Sequence, residues 1–230
     1  MSNKNQFSKY ASEYKHHNII QQIVAKSLVR ELKHEPKKIL ELGCGSGQVY
    51  NHINWDVDFY KAIDSSSSMC KLHPKSNNLE VKCFDFDTQE FIDEIKNDKY
   101  DLVLSSSALQ WSKDLKKIVK TLSTITNEIN AVLFTSNTFK TIQLISKSKS
   151  PILDEKSIKE AFSKYFKCDF ETIMYKLEFN NKKELFDYIK KSGVSPNASL
   201  SFKEAKKLYK EYDLNYLEFE VIFIKTVSKI

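Results

Sequence analysis

Lys38-Ile39-Leu40-Glu41-Leu42-Gly43-Cys44-Gly45-Ser46-Gly47 is the stretch that decides how this chain reads. Its first five residues form a short apolar run of the kind that fills a parallel strand buried on both faces. Three of the chain's four glycines then follow at every second position. Glycine is costly in backbone entropy, so such a cluster marks a demanding backbone path. A tight strand-to-helix turn, with main-chain N–H groups open to a ligand, explains it. A helix is expected from Gln48. The spacing is G-x-G-x-G, which differs from the G-x-G-x-x-G of dinucleotide sites, and an acid, Glu41, stands two residues before the first glycine. For the glycine triplet alone, an ordinary glycine-rich turn is the alternative.

Working outward, strands and helices alternate. Tyr14 to Leu32 has Ile20, Ile23, Val24, Ser27, Leu28 and Leu32 near one face of a helix. Residues 58–64 read as a second strand ending on Asp64, and the hydroxyls of Ser65 to Ser68 are N-caps for a helix carrying Met69 and Leu72. Residues 79–84 make a third strand, 91–95 a short helix and 100–104 a fourth strand. An amphipathic helix with Leu115, Ile118, Val119 and Leu122 precedes a fifth strand at 129–135. This order predicts parallel βαβ units. Helices are then expected at 138–146, 155–166, 182–191 and 202–212, with a turn at Gly193 and Pro196. Strands are expected at 170–179 and 216–227. Asp154 is a predicted N-cap, and Ser201-Phe202-Lys203-Glu204 a predicted capping box.

The 230 residues are 41 % hydrophobic and 29 % charged, the balance of a soluble globular protein. No apolar run reaches the roughly 18 residues that span a bilayer, and residues 1–10 lack the apolar core of a signal peptide. The expected compartment is the cytoplasm, with no membrane partner. Cys44, Cys70, Cys83 and Cys168 form no Cys-x-x-Cys pair, and His16-His17 have no partner at zinc spacing, so no metal is expected. Cys44 is a candidate reactive thiol if a helix begins beside it. His52 and His73 read as surface residues. The net charge is +6, yet Arg30 is the only arginine. Without clustered arginine or interleaved aromatics, this charge does not argue for nucleic acid.

Asp64 follows Gly43 by 21 positions at the end of the second strand. In a doubly wound sheet such a carboxylate lies over the ribose of a bound nucleotide, and a helix cap is the plainer alternative. Asp85 and Phe86 end the third strand, where an acid accepts from an adenine amine and an aromatic lies against the ring. Ser105 to Ser107 end the fourth strand at the edge where ligands bind. No Ser/His/Asp order or paired-carboxylate spacing is present.

The E-x-G-x-G-x-G form resembles the nucleotide loop of class I S-adenosylmethionine-dependent methyltransferases. Further stretches resemble one family among them, the malonyl-acyl-carrier-protein O-methyltransferases of biotin synthesis. Phe7-Ser8-Lys9-Tyr10-Ala11-Ser12-Glu13-Tyr14, followed by Gln21, is similar to that family's opening signature. Ala108-Leu109-Gln110-Trp111 is similar to its A-[LV]-Q-W motif. Residues 134–138, 191–194 and 217–221 resemble its segment after strand five, its K-x-[IS]-G-[AV] turn and its closing strand. Thr124 to Ile129 depart from its turn before strand five, and Phe219 stands where tyrosine is common.

The resemblance implies an α/β, Rossmann-like class I methyltransferase fold: a seven-stranded, mostly parallel sheet with an antiparallel last strand and a helical cover. One domain over 1–230 is expected, with an N-terminal helical cover at 1–32, a nucleotide-binding core at 33–136, and the remaining strands and substrate cover at 137–230. S-adenosylmethionine is the implied cofactor. Its expected binding residues are Glu41, Gly43, Cys44, Gly45, Gly47, Asp64, Ser65, Met69, Asp85, Phe86 and Ser105. Tyr14, Gln110 and Trp111 are the candidates for lining the place of methyl transfer, with packing of the N-terminal helix as their alternative. The implied partner is an acyl carrier protein bearing malonyl, or malonyl-CoA. A carboxyl methyltransferase for a free small acid, like the similar trans-aconitate enzymes, and a cofactor-binding protein without turnover are the rival readings.

Overall fold

A computed structural model of the chain describes residues 18–191 and 201–229. Seven strands form one sheet in the order β3-β2-β1-β4-β5-β7-β6. β1 (Lys38–Leu42) lies between β2 (Phe59–Asp64) and β4 (Leu102–Ser106), and both neighbours run parallel to it. Ile39 to Leu42 are all buried, which is why this strand needs an unbroken apolar run rather than alternation. β3 (Leu79–Cys83) extends the sheet beyond β2, and β5 (Ile129–Phe134) extends it beyond β4, both in parallel. β7 (Tyr216–Lys229) inserts antiparallel between β5 and β6 (Phe166–Glu178). The sheet is thus mostly parallel with an antiparallel last strand. The chain reverses its direction of winding between β1 and β4, so a crevice opens at their carboxyl ends.

Helices cover both faces. α1 (Ile19–Arg30) packs over β4 and β5. Its buried arc is Ile20, Gln21, Val24, Ala25, Leu28 and Val29, whereas Ile23, expected on that arc, is 43 % exposed. The arc is centred on Val24, and Ile23 lies 100° away from it at the margin. α2 (Ser67–Leu72) is capped by Ser66, and α3 (Gln89–Ile95) by Thr88. α4 (Leu115–Ile125) starts at Asp114, whose carboxylate accepts from the Lys117 N–H at 3.0 Å. Beyond β5 come α5 (Lys140–Ser146) and α6 (Glu155–Ser163), the second capped by Asp154 as its sequence predicts. α7 (Lys182–Lys191) and α8 (Phe202–Glu211) complete the described helices, and Ser201 with Glu204 forms the expected capping box. The expected turn at Gly193 and Pro196 lies outside the described residues, as does the start of the helix expected from Tyr14.

Two boundaries differ in ways that affect the crevice. No α-helix follows the glycine loop: residues 45–49 are turns, and a single 3-10 turn covers Tyr50–His52. The chain is pulled back toward β2 at once, because the Trp55 indole N–H donates to the Pro36 carbonyl at 3.0 Å. β4 begins and ends two residues later than expected. Ser105 and Ser106 stay in the ladder because they pair in register with Ala131 and Val132 of β5.

Candidate active site

The glycine loop is held by contacts that exclude side chains. Gly43 has φ +73°, and a Cβ there would lie 2.0 Å from the Ala108 Cβ. The turns after β1 and β4 therefore touch at this point. Gly47 has φ +89°, and a Cβ there would lie 2.6 Å from Pro74 Cδ. Pro74 and His73 buttress the loop from below. His73 is accordingly buried, 4 % exposed, and not the surface residue its polar neighbours predict. Its ring packs against Tyr50 with centroids 5.5 Å apart, and burial holds its pKa below the usual histidine value.

Two acids flank the loop. Asp64 Oδ2 accepts from the Gly45 N–H at 2.9 Å, and Oδ1 accepts from the Ser66 N–H at 2.7 Å. The backbone thus orients the carboxylate. A carboxylate has about four lone-pair sites, so one carboxylate serves several donors at once. Glu41 is buried and accepts from the Tyr60 hydroxyl at 2.7 Å. Burial pushes its carboxyl up to about 7; the Tyr60 hydrogen bond opposes this, and the charge of Asp64 adds to it. The Cys44 thiol is raised well above the ordinary range by burial, then by the charges of Glu41 and Asp64. With no helix starting at this loop, the basis for a reactive Cys44 disappears, and its thiol stays protonated.

A cavity of about 460 Å³ occupies the crevice, within the range of small-molecule sites. Its wall brings together Glu41, Gly43, Cys44, Gly45, Asp64, Ser65, Met69, Asp85, Phe86 and Trp111. Three residues expected at the site are not in that wall. Gly47 packs on Pro74 instead. Ser105 is fully buried within the ladder, its hydroxyl donating to the Leu42 carbonyl at 2.9 Å, because β4 runs on to Ser106. Gln110 is buried behind the wall, where its Nε2 donates to the Ser107 carbonyl at 2.8 Å. Tyr14 lies outside the described residues.

The wall also contains residues that sequence reasoning did not assign. Ser106, Ser107 and Ala108 take the position expected of Ser105. Asp87 accepts from the Ser112 hydroxyl at 2.9 Å and from the Lys113 N–H, tying the turn after β3 to the segment after β4. Its signal was present as the second acid of Asp85-Phe86-Asp87. Gln21 reaches the wall from α1. Lys113 is the one cation among the described lining residues, against the carboxyl groups of Glu41, Asp64, Asp85 and Asp87. Such a wall favours a ligand bearing positive charge and disfavours the phosphates of a dinucleotide. Gln21 Oε1 and Ser107 Oγ are buried without hydrogen-bond partners among the described residues, so the cavity has polar atoms that a ligand would satisfy.

Strand order, glycine loop and crevice define the class: the fold is that of the class I methyltransferases. Residues 40–130 match the profile of a family described as a methyltransferase domain. The YcgJ protein of Bacillus subtilis superposes with TM-score 0.64 at 10 % identity, over 90 % of this chain and 97 % of that one. The plantazolicin methyltransferase BpumL, solved in complex with SAH, superposes with TM-score 0.56 at 15 % identity, over 97 % and 93 %. Sequence relatives are more particular. A malonyl-[acyl-carrier protein] O-methyltransferase of Bacillus anthracis is 25 % identical over 89 % of this chain and 84 % of its own length. One from Acetivibrio thermocellus is 31 % identical over 50 % of this chain and 42 % of its own length.

Proposed function

We propose that this chain is an S-adenosylmethionine-dependent O-methyltransferase that esterifies the free carboxylate of a malonyl thioester. The observation that carries the cofactor is the acidic cavity at the β1/β4 switch point, which suits a cationic nucleoside and opposes a dinucleotide. In this reading Asp64 accepts from the ribose hydroxyls, Asp85 and Phe86 hold the adenine, and Ser65 and Met69 border the nucleoside. Glu41 and the loop at Gly43, Cys44 and Gly45 border its amino-acid end.

When bound, S-adenosylmethionine supplies a methyl group already activated by its positive sulfur. The chain's own work is therefore positional. A carboxylate with pKa near 4 is ionised at neutral pH and needs no base. Trp111, on the cavity wall, would narrow the transfer end and exclude water there, so that the acceptor oxygen is held close to the methyl group rather than meeting it by chance. Gln110 acts one step back, by holding the turn at Ser107. Support for the acceptor comes from the resemblance at Ala108-Leu109-Gln110-Trp111 and from the names of the relatives. Their names also support acyl carrier protein as partner, and the resemblance extends the reading to biotin synthesis in the cytoplasm. No described helix is long and apolar enough to cross a membrane.

Calorimetry against S-adenosylmethionine, S-adenosylhomocysteine and NAD tests the cofactor. The first two bind and NAD does not, and Asp64→Ala weakens binding by about 1–3 kcal/mol, the scale of hydrogen bonds to a charged group. Labelled methyl transfer to malonyl-carrier protein, malonyl-CoA and free diacids then tests the acceptor. Transfer to free diacids alone would favour the trans-aconitate-like reading, and binding without any transfer a non-catalytic one.

A further inference from the structure

We propose that Gln21 and Ser107 together bind the acceptor carboxylate, an inference that rests on the acceptor class argued above. Gln21 is 3 % exposed, lies on α1 and lines the cavity, yet its Oε1 meets no hydrogen-bond partner among the described residues. Ser107 lines the same cavity from the turn after β4, and its Oγ is likewise buried without a partner. Buried polar atoms are nearly always paired, so two orphans on one cavity wall point to a ligand that completes them. Ser107 also has φ +59°, a left-handed conformation that a residue with a Cβ adopts at a cost. Its surroundings enforce it. The Ser107 N–H donates to the Val132 carbonyl at 2.8 Å, and the Ser107 carbonyl accepts from Gln110 Nε2 at 2.8 Å. Strain of this kind, held by hydrogen bonds on both sides, presents a side chain in one direction.

The chemistry of the pair selects the ligand group. An ionised carboxylate only accepts hydrogen bonds. The Ser107 hydroxyl offers one donor, and a half-turn of the Gln21 amide offers two more in place of its oxygen. These residues also stand at the less acidic end of the cavity. Asp64 lies on β2 and Asp85 follows β3, whereas α1 packs over β4 and β5 on the far side of β1; Asp87, which reaches the segment after β4, is held there by the Ser112 hydroxyl and the Lys113 N–H. An anionic acceptor is tolerated there and repelled elsewhere. Neutral donors have a further merit over an arginine clamp. They fix the carboxylate without cancelling its charge, which leaves a lone pair free to attack the methyl carbon.

The test uses the full chain with Gln21→Leu, Gln21→Glu, Ser107→Gly and, as a comparison, Lys113→Met. Glycine retains the left-handed backbone of Ser107, and glutamate retains the shape of Gln21, so each lesion has a variant chosen to fold. Two quantities are read: calorimetric affinity for S-adenosylhomocysteine, and KM for malonyl-CoA. Gln21→Leu and Ser107→Gly are expected to raise KM about ten-fold or more, with Gln21→Glu worse through charge repulsion. Affinity for S-adenosylhomocysteine should stay within about two-fold. Loss of that affinity with KM unchanged would assign the pair to the cofactor and overturn the proposal. So would a rise in KM confined to Lys113→Met, or wild-type values throughout. A wild-type protein that binds S-adenosylhomocysteine but methylates no malonyl thioester overturns the acceptor reading itself, and this inference with it.

Discussion

The Glu41 carboxylate and the Tyr60 hydroxyl form a 2.7 Å hydrogen bond between two buried side chains on adjacent strands. Tyr60 is the donor, so the bond favours the charged carboxylate, while burial favours the neutral acid. Burial wins, and the Asp64 charge adds to it, leaving Glu41 titrating at about 7. At neutral pH this acid is poised between its two forms, on the wall of a cavity suited to a cation.

The first prediction follows from that position. Glu41 titrates near its ordinary value of 4.5 when unfolded and at about 7 when folded. The folded protein therefore binds more protons between those values. Its contribution to stability is fully present below pH 4.5, is lost as pH rises to about 7, and is level above that. The whole span amounts to about 3 kcal/mol as an order of magnitude. Glu41→Gln should flatten this part of the stability–pH curve, as measured by urea unfolding from pH 4.5 to 8. A wild-type curve that rises across the window would contradict the assignment.

A second prediction separates two glycines of the loop. Gly43 and Gly45 both have positive φ, so alanine costs roughly 1–2 kcal/mol at either through backbone strain. At Gly45 nothing lies within 4 Å of the new Cβ, whereas at Gly43 it meets Ala108 at 2.0 Å. Overpacking adds about 1–3 kcal/mol at Gly43 alone. At about 2–4 °C per kcal/mol for a chain of this size, Gly43→Ala should melt several degrees below Gly45→Ala. Equal melting temperatures would mean that the two turns are free to move apart.

The frame around these glycines is legible in the sequence because it depends on local pattern. An apolar strand, a glycine turn and an acid at the end of the next strand fix the order of elements and bring Asp64 to the loop. Capping residues such as Asp154 and Ser201 act within one turn of chain, so their helix starts are legible too. Features set by distant contacts are not. Ser105 leaves the site because β5 prolongs the ladder, and nothing in residues 102–107 encodes that pairing. His73 looks polar in sequence but is buried beneath Gly47, some twenty-six positions earlier in the chain. Gln21 is legible only as the last residue of the opening signature that the chain resembles, and the packing of α1 is what brings it to the cavity wall.

A third prediction concerns β2. Lys61 has 5 % of its side chain exposed, and its ammonium meets Glu94 at 2.8 Å, Asp98 at 3.2 Å and Glu80 at 3.3 Å. Burial alone would lower its pKa, but the bonds to Glu94 and Asp98 carry it above the ordinary lysine value. Lys61→Met keeps the length of the side chain and removes the cation shared by three carboxylates, of which Glu80 keeps Lys82 at 3.2 Å and Asp98 keeps the Tyr100 hydroxyl at 2.9 Å. Because those acids are partly exposed, the loss should be about 2–3 kcal/mol rather than the full cost of an uncompensated buried charge. Lys96→Met, which removes an exposed partner of Asp93, should leave the denaturation midpoint unchanged. Equal effects from the two variants would show that the Lys61 cluster is no better than a surface pair.

The last prediction tests the proposed partner. On α8, Leu208 is buried, as is Tyr212 just beyond it, whereas Lys203, Lys206, Lys207 and Lys210 are exposed. Ala205 on the same helix is exposed, and Tyr209 is 47 % exposed, its ring against Phe186. α8 packs on α5, which follows the carboxyl end of β5, so its lysines belong to the edge of the sheet that holds the cavity. Lys207 pairs with Glu211 only at 3.8 Å, so it remains available to another carboxylate. An acidic carrier protein would be steered by this face, through association more than through residence, and less strongly as salt is raised. Lys203→Glu with Lys206→Glu should therefore raise KM for malonyl-carrier protein by roughly three- to ten-fold at low ionic strength. Malonyl-CoA, which brings no protein surface, should change much less. Initial rates on both acceptors across a salt series decide the matter. Equal shifts for the two acceptors, or none for either, would reduce the lysines to a solvated helix face.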